Sequence, residues 1–171
     1  MTMLTAQSEV GRLHQVLLKT PRAAFQDDAA IEAQWQSLNY LSKPDFSAAV
    51  EEYEALLQIV RAHRVDVCFL PENEATGMDS IYVRDASIIT DEGVILCNMG
   101  KPARSGEPAA SGAGISARDL RIRGSIAAPG MIEGGDVAWL DPLTLAVGRG
   151  YRTSADGIRQ LRALLPENVE L

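Results

Sequence analysis

Only two cysteines and two histidines occur among the 171 residues, so the side chains most used for nucleophilic, acid–base and metal chemistry are scarce. Cys68 and Cys97 both lie in apolar, strand-like runs, where a thiol reads as a small buried hydrophobe and not as half of a disulfide. His14 falls in a strand-like stretch. His63 falls near a helix C-terminus, where the helix dipole favours a cation. Neither histidine is assigned chemistry. Long apolar runs are missing too: none approaches the roughly 20 residues that span a bilayer. The N-terminal Met-Thr-Met-Leu-Thr-Ala-Gln lacks the basic start and apolar core of a signal peptide. A cytoplasmic chain with no membrane partner is expected. Basic charge is in deficit, with 16 Lys+Arg against 23 Asp+Glu and a net charge of −7, which argues against nucleic acid as a partner. No phosphate or dinucleotide loop is present, because Gly112-Ala113-Gly114 follows no strand-like run. No cofactor and no metal are expected.

What is there is an ordinary globular composition, 46% hydrophobic and 23% charged. The length predicts a single domain over 1–171 with a sizeable core. Apolar clustering predicts a strand within Val10–Lys19, stopped by Thr20-Pro21. Helical spacing of Ile31, Trp35 and Leu38 predicts a helix within Asp27–Asn39. A second helix follows Asp45, with Val50, Tyr53, Leu56, Leu57 and Val60 as its core stripe. Val65–Leu70 reads as a strand, and Ala86–Thr90 with Gly93–Cys97 as a hairpin. Met99–Gly114, rich in Gly, Ala, Pro and Ser, reads as a loop; the sequence decides neither whether it is mobile nor whether it runs into a helix around Ile115–Leu120. Strands are predicted at Leu120–Ala127, from Val137, and at Leu143–Val147. A helix is predicted from Ser154, and another strand begins at Val169. The rhythm of strand, strand and helix recurs about three times, which predicts stacked α/β modules.

One stretch stands out: Met131-Ile132-Glu133-Gly134-Gly135-Asp136-Val137. Glycine lets a second backbone or a ligand approach closely. Glu133 pressed against Gly134-Gly135 is therefore either an exposed turn acid or a site residue. Polar residues expected at strand ends are Asp79, Asp85, Arg104, Glu133, Asp136 and Arg152. A guanidinium is planar, always charged, and donates in a fork that carboxylates match. Converging acids would hold such a group, and two arginines would clamp a carboxylate at the ligand's other end. The same residues also fit surface salt bridges, each worth under about 1 kcal/mol. Spacing alone leaves both readings open.

Asp79-x5-Asp85 within MDSIYVRD, Met99-x4-Arg104-x2-Glu107, the IEGGD run and Gly148-Arg149-Gly150-Tyr151-Arg152-Thr153 occur in one order. In this the chain resembles the guanidine-modifying enzymes, a group that includes dimethylarginine dimethylaminohydrolase, arginine deiminase and the amidinotransferases. The resemblance implies a five-module α/β propeller, of which about three modules are covered. It implies that Asp79 and Asp85 grip a substrate guanidinium, and that Glu133 holds the guanidinium and supports a catalytic histidine. It implies further that Arg104 and Arg152 bind the substrate carboxylate, while Gly134, Gly135 and Asp136 shape the turn, Asp136 through backbone N–H groups.

The implied activity is hydrolysis of a guanidino C–N bond in arginine or a methylated arginine, through a cysteine-bound thiouronium intermediate. His14, His63, Cys68 and Cys97 do not occupy the family's His and Cys positions, so a chain truncated before them and inactive alone is expected. Amidinotransfer, a non-catalytic module that binds arginine derivatives, and a subunit completed by a second copy or a complementing chain remain alternatives.

Overall fold

The computed structural model describes residues 5–171; the first four residues of the stretch read for a signal peptide lie outside them. Two compact units are present: residues 12–83, and residues 84–171 together with the segment up to Gly11.

In the 12–83 unit, β1 (Gln15–Leu18) pairs in parallel with β2 (Asp66–Phe69), Leu17 opposite Cys68. Parallel neighbours need a long crossover. Here it carries α1 (Pro21–Ala24), α2 (Asp28–Gln34) and α3 (Phe46–Ala62). Thr20-Pro21 therefore starts a helix where a closing turn was expected. The Thr20 hydroxyl accepts from Ala23 N–H, and Pro21 fills the first helical position, where its missing N–H costs nothing. Ala24, Phe25, Ile31, Leu38 and Met78 form this unit's core. The α3 stripe is narrower than expected: Leu57 is buried, but Leu56 is 45% exposed. Adjacent helical residues point about 100° apart, so both cannot face one core.

In the 84–171 unit, β3 (Ser87–Thr90) and β4 (Gly93–Leu96) form an antiparallel hairpin. The chain then passes through α4 (Glu107–Ser116) to β5 (Ile122–Ser125), parallel to β4. The pattern repeats. Strands β6 (Val137–Asp141) and β7 (Thr144–Val147) pair antiparallel, α5 (Ala155–Leu164) crosses over, and Glu170 bridges Thr144 in parallel. Ile88, Ile95, Ile132, Trp139, Leu145 and Leu161 belong to the shared core of this unit. The fold class is α/β. Among the described residues no helix is long and apolar enough to cross a membrane.

The stretch Met99–Gly114, read as a loop, holds a short 3-10 turn, Pro102–Arg104, followed by α4. Its Ser111, Gly112, Gly114 and Ile115 are buried. Such a helix carries no apolar stripe, because most of its surface faces protein. The helix left open around Ile115–Leu120 lies earlier in the chain, since α4 ends at Ser116.

Candidate functional site

Glu133 is placed by three connections. Ile132 bridges Asn98 and donates its N–H to the Asn98 carbonyl. Ser154, the N-cap of α5, donates its N–H to Met131 O and accepts from Met131 N–H through its hydroxyl. Thr153, fully buried, donates its hydroxyl to Asp136 Oδ2 at 2.6 Å and accepts weakly from Glu133 N–H at 3.4 Å. The start of α5 is thus stitched to the strand that delivers Glu133. The two glycines then make room. A Cβ on Gly134 would lie 2.1 Å from the Arg84 carbonyl oxygen, and one on Gly135 would lie 2.5 Å from Asp85 Oδ1. Residues 134–136 form a single 3-10 turn before β6.

Around this turn the acids meet guanidinium groups. Arg104, 4% exposed, is held on three sides. Its Nε and Nη2 donate to the two oxygens of Glu107 at 2.9 and 2.8 Å, and its Nη1 donates to Asp85 Oδ2 at 2.8 Å. Nη1 is also 3.7 Å from Glu133 Oε2. Arg152, by contrast, is 39% exposed at its side chain, with Nη1 3.2 Å from Glu133 Oε2 and Nη2 3.7 Å from Asp136 Oδ1. Glu133 is 1% exposed. Its Oε1 accepts from Gly100 N–H at 3.2 Å, while Oε2 has no aligned hydrogen-bond donor despite the nearby Arg152 charge. Burial pushes the Glu133 carboxyl above its ordinary 4.5, with Asp85 adding to the rise; Arg152, Arg104 and the Gly100 N–H oppose it.

Asp85, Arg104, Glu133, Gly134, Gly135, Asp136 and Arg152 therefore gather in one unit. Asp79 lies in the other, buried in the turn Met78–Ile81, near Tyr40 and Tyr82. Burial pushes the Tyr40 phenol up, with the Tyr82 and Asp79 charges adding to it. Asp136 differs from expectation: its carboxylate takes the Thr153 hydroxyl, and the turn's own N–H from Asp136 goes to the Glu133 carbonyl. Glu107 and Thr153 both stand in the quoted motifs without an assigned role; in the structure Glu107 holds Arg104 and Thr153 holds Asp136.

Neither thiol is placed as a nucleophile. Cys97 is 3% exposed in the core. Burial pushes it up to about 12 from an ordinary 9.0, with Glu133 and Asp85 adding to the rise while the Gly134 N–H opposes it. That leaves it roughly a thousandfold fewer thiolates than an ordinary thiol. Cys68, on β2, is half-buried and not the enclosed residue expected. A maleimide should therefore label Cys68 in the native chain and Cys97 only after unfolding; equal labelling of both would contradict this burial.

Buried carboxylates are thus paired with the chain's own guanidinium groups in the turns before β3, α4 and β6 of an α/β fold. A family model described as arginine deiminase matches residues 78–170, more than half of the chain, and the chain belongs to that family, within the guanidine-modifying superfamily. It is 29% identical over 130 residues to a dimethylarginine dimethylaminohydrolase from Pseudomonas aeruginosa, covering 76% of this chain and 50% of that protein. It is 31% identical over 125 residues to the protein of the same name from Streptomyces coelicolor, covering 71% and 46%. A solved dimethylarginine dimethylaminohydrolase variant, in adduct with S-methyl-L-thiocitrulline, superposes with a TM-score of 0.74 at 27% identity, covering 89% of this chain and 56% of that one. The chain spans about half the length of the curated relatives it matches.

Proposed function

We propose that the protein is a guanidino hydrolase acting on the C–N bond of arginine or a methylated arginine, and that this chain supplies the carboxylates that hold the guanidinium. The observation that carries the reading is Glu133 Oε2, a buried oxygen with no aligned donor, approached by Arg152 at 3.2 Å and by Arg104 at 3.7 Å. A ligand guanidinium would donate to Glu133 and Asp85. Arg152 would leave Glu133 and turn to the ligand's carboxylate. Asp79 lies in the 12–83 unit and is given no part in this clamp. The repeated strand–strand–helix–strand pattern fits consecutive modules of an α/β propeller, a single functional domain. The guanidine-positioning acids act by orientation and electrostatics. The family's thiol and imidazole steps are assigned to no residue of this chain. The adduct of its relative with S-methyl-L-thiocitrulline supports this ligand class.

The chemistry sets a pH dependence. Only ionised Glu133 attracts a guanidinium, and its folded pKa is raised above 4.5. In the free chain that raised pKa means stability fully present at low pH and lost as pH rises through it. For the ligand the sign is reversed: affinity is full above the raised pKa and falls as pH drops through it. Calorimetry with arginine should show binding at neutral pH that weakens already above 4.5, by up to about tenfold per pH unit, with proton release on binding near that pKa. Affinity independent of pH down to the ordinary carboxylate range, or no binding at millimolar arginine, would overturn the reading. So would turnover of arginine by the purified chain that survives removal of both cysteines.

A further inference from the structure

Helix α3 carries a second apolar face, which its own unit leaves open. Leu57 is buried in the 12–83 unit, whereas Leu56 and Ile59, the latter 60% exposed, face outward. Ala48, Glu52, Ala55, Ile59 and Ala62 recur at intervals of four and three, and all five are exposed. That spacing is the one that lets a second helix lie along the first. Beside this face an open groove of about 470 Å³ is lined by Arg12, Leu13, Ile59, Val60, His63 and Val65. Leu13 is 51% exposed, and Leu56 lies one helical turn from Ile59 and Val60. Apolar side chains scattered singly over a surface mean little, but a continuous patch rimmed by charge marks an interaction surface.

We infer that this face pairs with the same face of a second copy of the chain, the two α3 helices running antiparallel. The charges select that occupant. Glu51, Glu52 and Glu54 lie in the first half of α3, while Arg61, His63 and Arg64 close it. A helix acidic at one end and basic at the other complements itself when reversed, and a two-fold axis performs that reversal with a single kind of surface. With Leu56 of one copy against Ile59 of the other, the axis passes between these two positions. Glu52, four residues before Leu56, then comes opposite His63, four residues after Ile59. Arg12 lines the same groove as His63 and adds a second donor there. A parallel pair would set Glu52 against Glu52. The 17 residues of α3 make a contact about 25 Å long. Leu13, Leu56 and Ile59 supply the buried apolar area, and the Glu52 pairs set direction and register. The alanines let the two helices approach closely.

The test is the mass of the chain in solution, measured by sedimentation equilibrium at about 100 µM, well above the micromolar end of the range for interfaces of ordinary size. Twice the mass of one chain is expected. Ile59→Glu should weaken the pair by at least about tenfold, with an unchanged circular dichroism spectrum because the residue is mostly exposed. Glu52→Lys should weaken it as well, by setting like charges against Arg12 and His63 of the partner. Adding His63→Glu to Glu52→Lys should restore it, since the swap rebuilds the opposite-charge pair with its signs reversed. A chain that stays monomeric would overturn the inference and leave the groove to a partner of another kind. A dimer that survives Ile59→Glu would overturn it by placing the contact elsewhere, and a dimer indifferent to Glu52→Lys would overturn the antiparallel arrangement. Arginine binding is a separate measurement, so none of these outcomes bears on the guanidinium clamp.

Discussion

Glu107→Ala is expected to destabilise the 84–171 unit by about 3–5 kcal/mol, the loss typical of breaking a buried ion pair. Arg104 would keep Asp85 on Nη1, but its Nε and Nη2 would lose both Glu107 oxygens at 4% exposure. Removing one partner of a buried pair leaves a charge that water cannot reach, which costs more than the pair itself contributed. The competing account is a surface bridge, worth under about 1 kcal/mol. Burial decides between them: the two side chains are 5% and 3% exposed. Against a total stability of about 5–15 kcal/mol the loss is large. Urea unfolding of the variant should show a clearly lower midpoint. A shift equivalent to less than about 1 kcal/mol would place the pair with the surface bridges.

Gly134→Ala should be the second severe change, by about 1–3 kcal/mol or more. The added Cβ would meet two backbone oxygens, Arg84 O at 2.1 Å and Ser87 O at 2.7 Å. Backbone cannot swing aside as a long side chain can. These two carbonyls flank Asp85 and Ala86 in the chain, so relieving the clash moves Asp85. The variant should lose arginine affinity along with thermal stability. Gly150 is the control: a Cβ there meets nothing within 4 Å, so Gly150→Ala should be close to neutral in both. If both alanines behave alike, the close approach at Gly134 is not what the turn requires.

Periodicity carried the regular elements: β2, the β3–β4 hairpin, α3 and α5 lie where apolar spacing puts them. It failed where burial is all-round or an element is short. Helix α4 is made of Glu107-Pro-Ala-Ala-Ser-Gly-Ala-Gly-Ile-Ser, loop-forming residues with no stripe. It is a helix because small residues let it close on β4: a Cβ on Gly112 would lie 2.8 Å from a Leu96 methyl. The four-residue α1 was hidden because Thr-Pro is a stop signal as often as a start. In the site, the acids and glycines were legible as a motif. Their pairing was not: that Arg104 reaches back 19 residues to Asp85 and forward three to Glu107 is a tertiary fact. One arginine is buried among carboxylates and the other is half-exposed, a difference that spacing does not carry. Asp79 looked like the neighbour of Asp85 in sequence, yet the boundary between the compact units falls between them.

The most direct test of the central claim, that Asp85 and Glu133 form a guanidinium clamp, is an arginine titration of the chain and of its Asp85→Asn variant, followed by calorimetry. The substitution preserves shape and removes one carboxylate charge. The account predicts binding by the chain and at least about a tenfold weaker affinity in the variant, the scale of one charge-assisted hydrogen bond. Undiminished arginine affinity in a folded Asp85→Asn variant would contradict it.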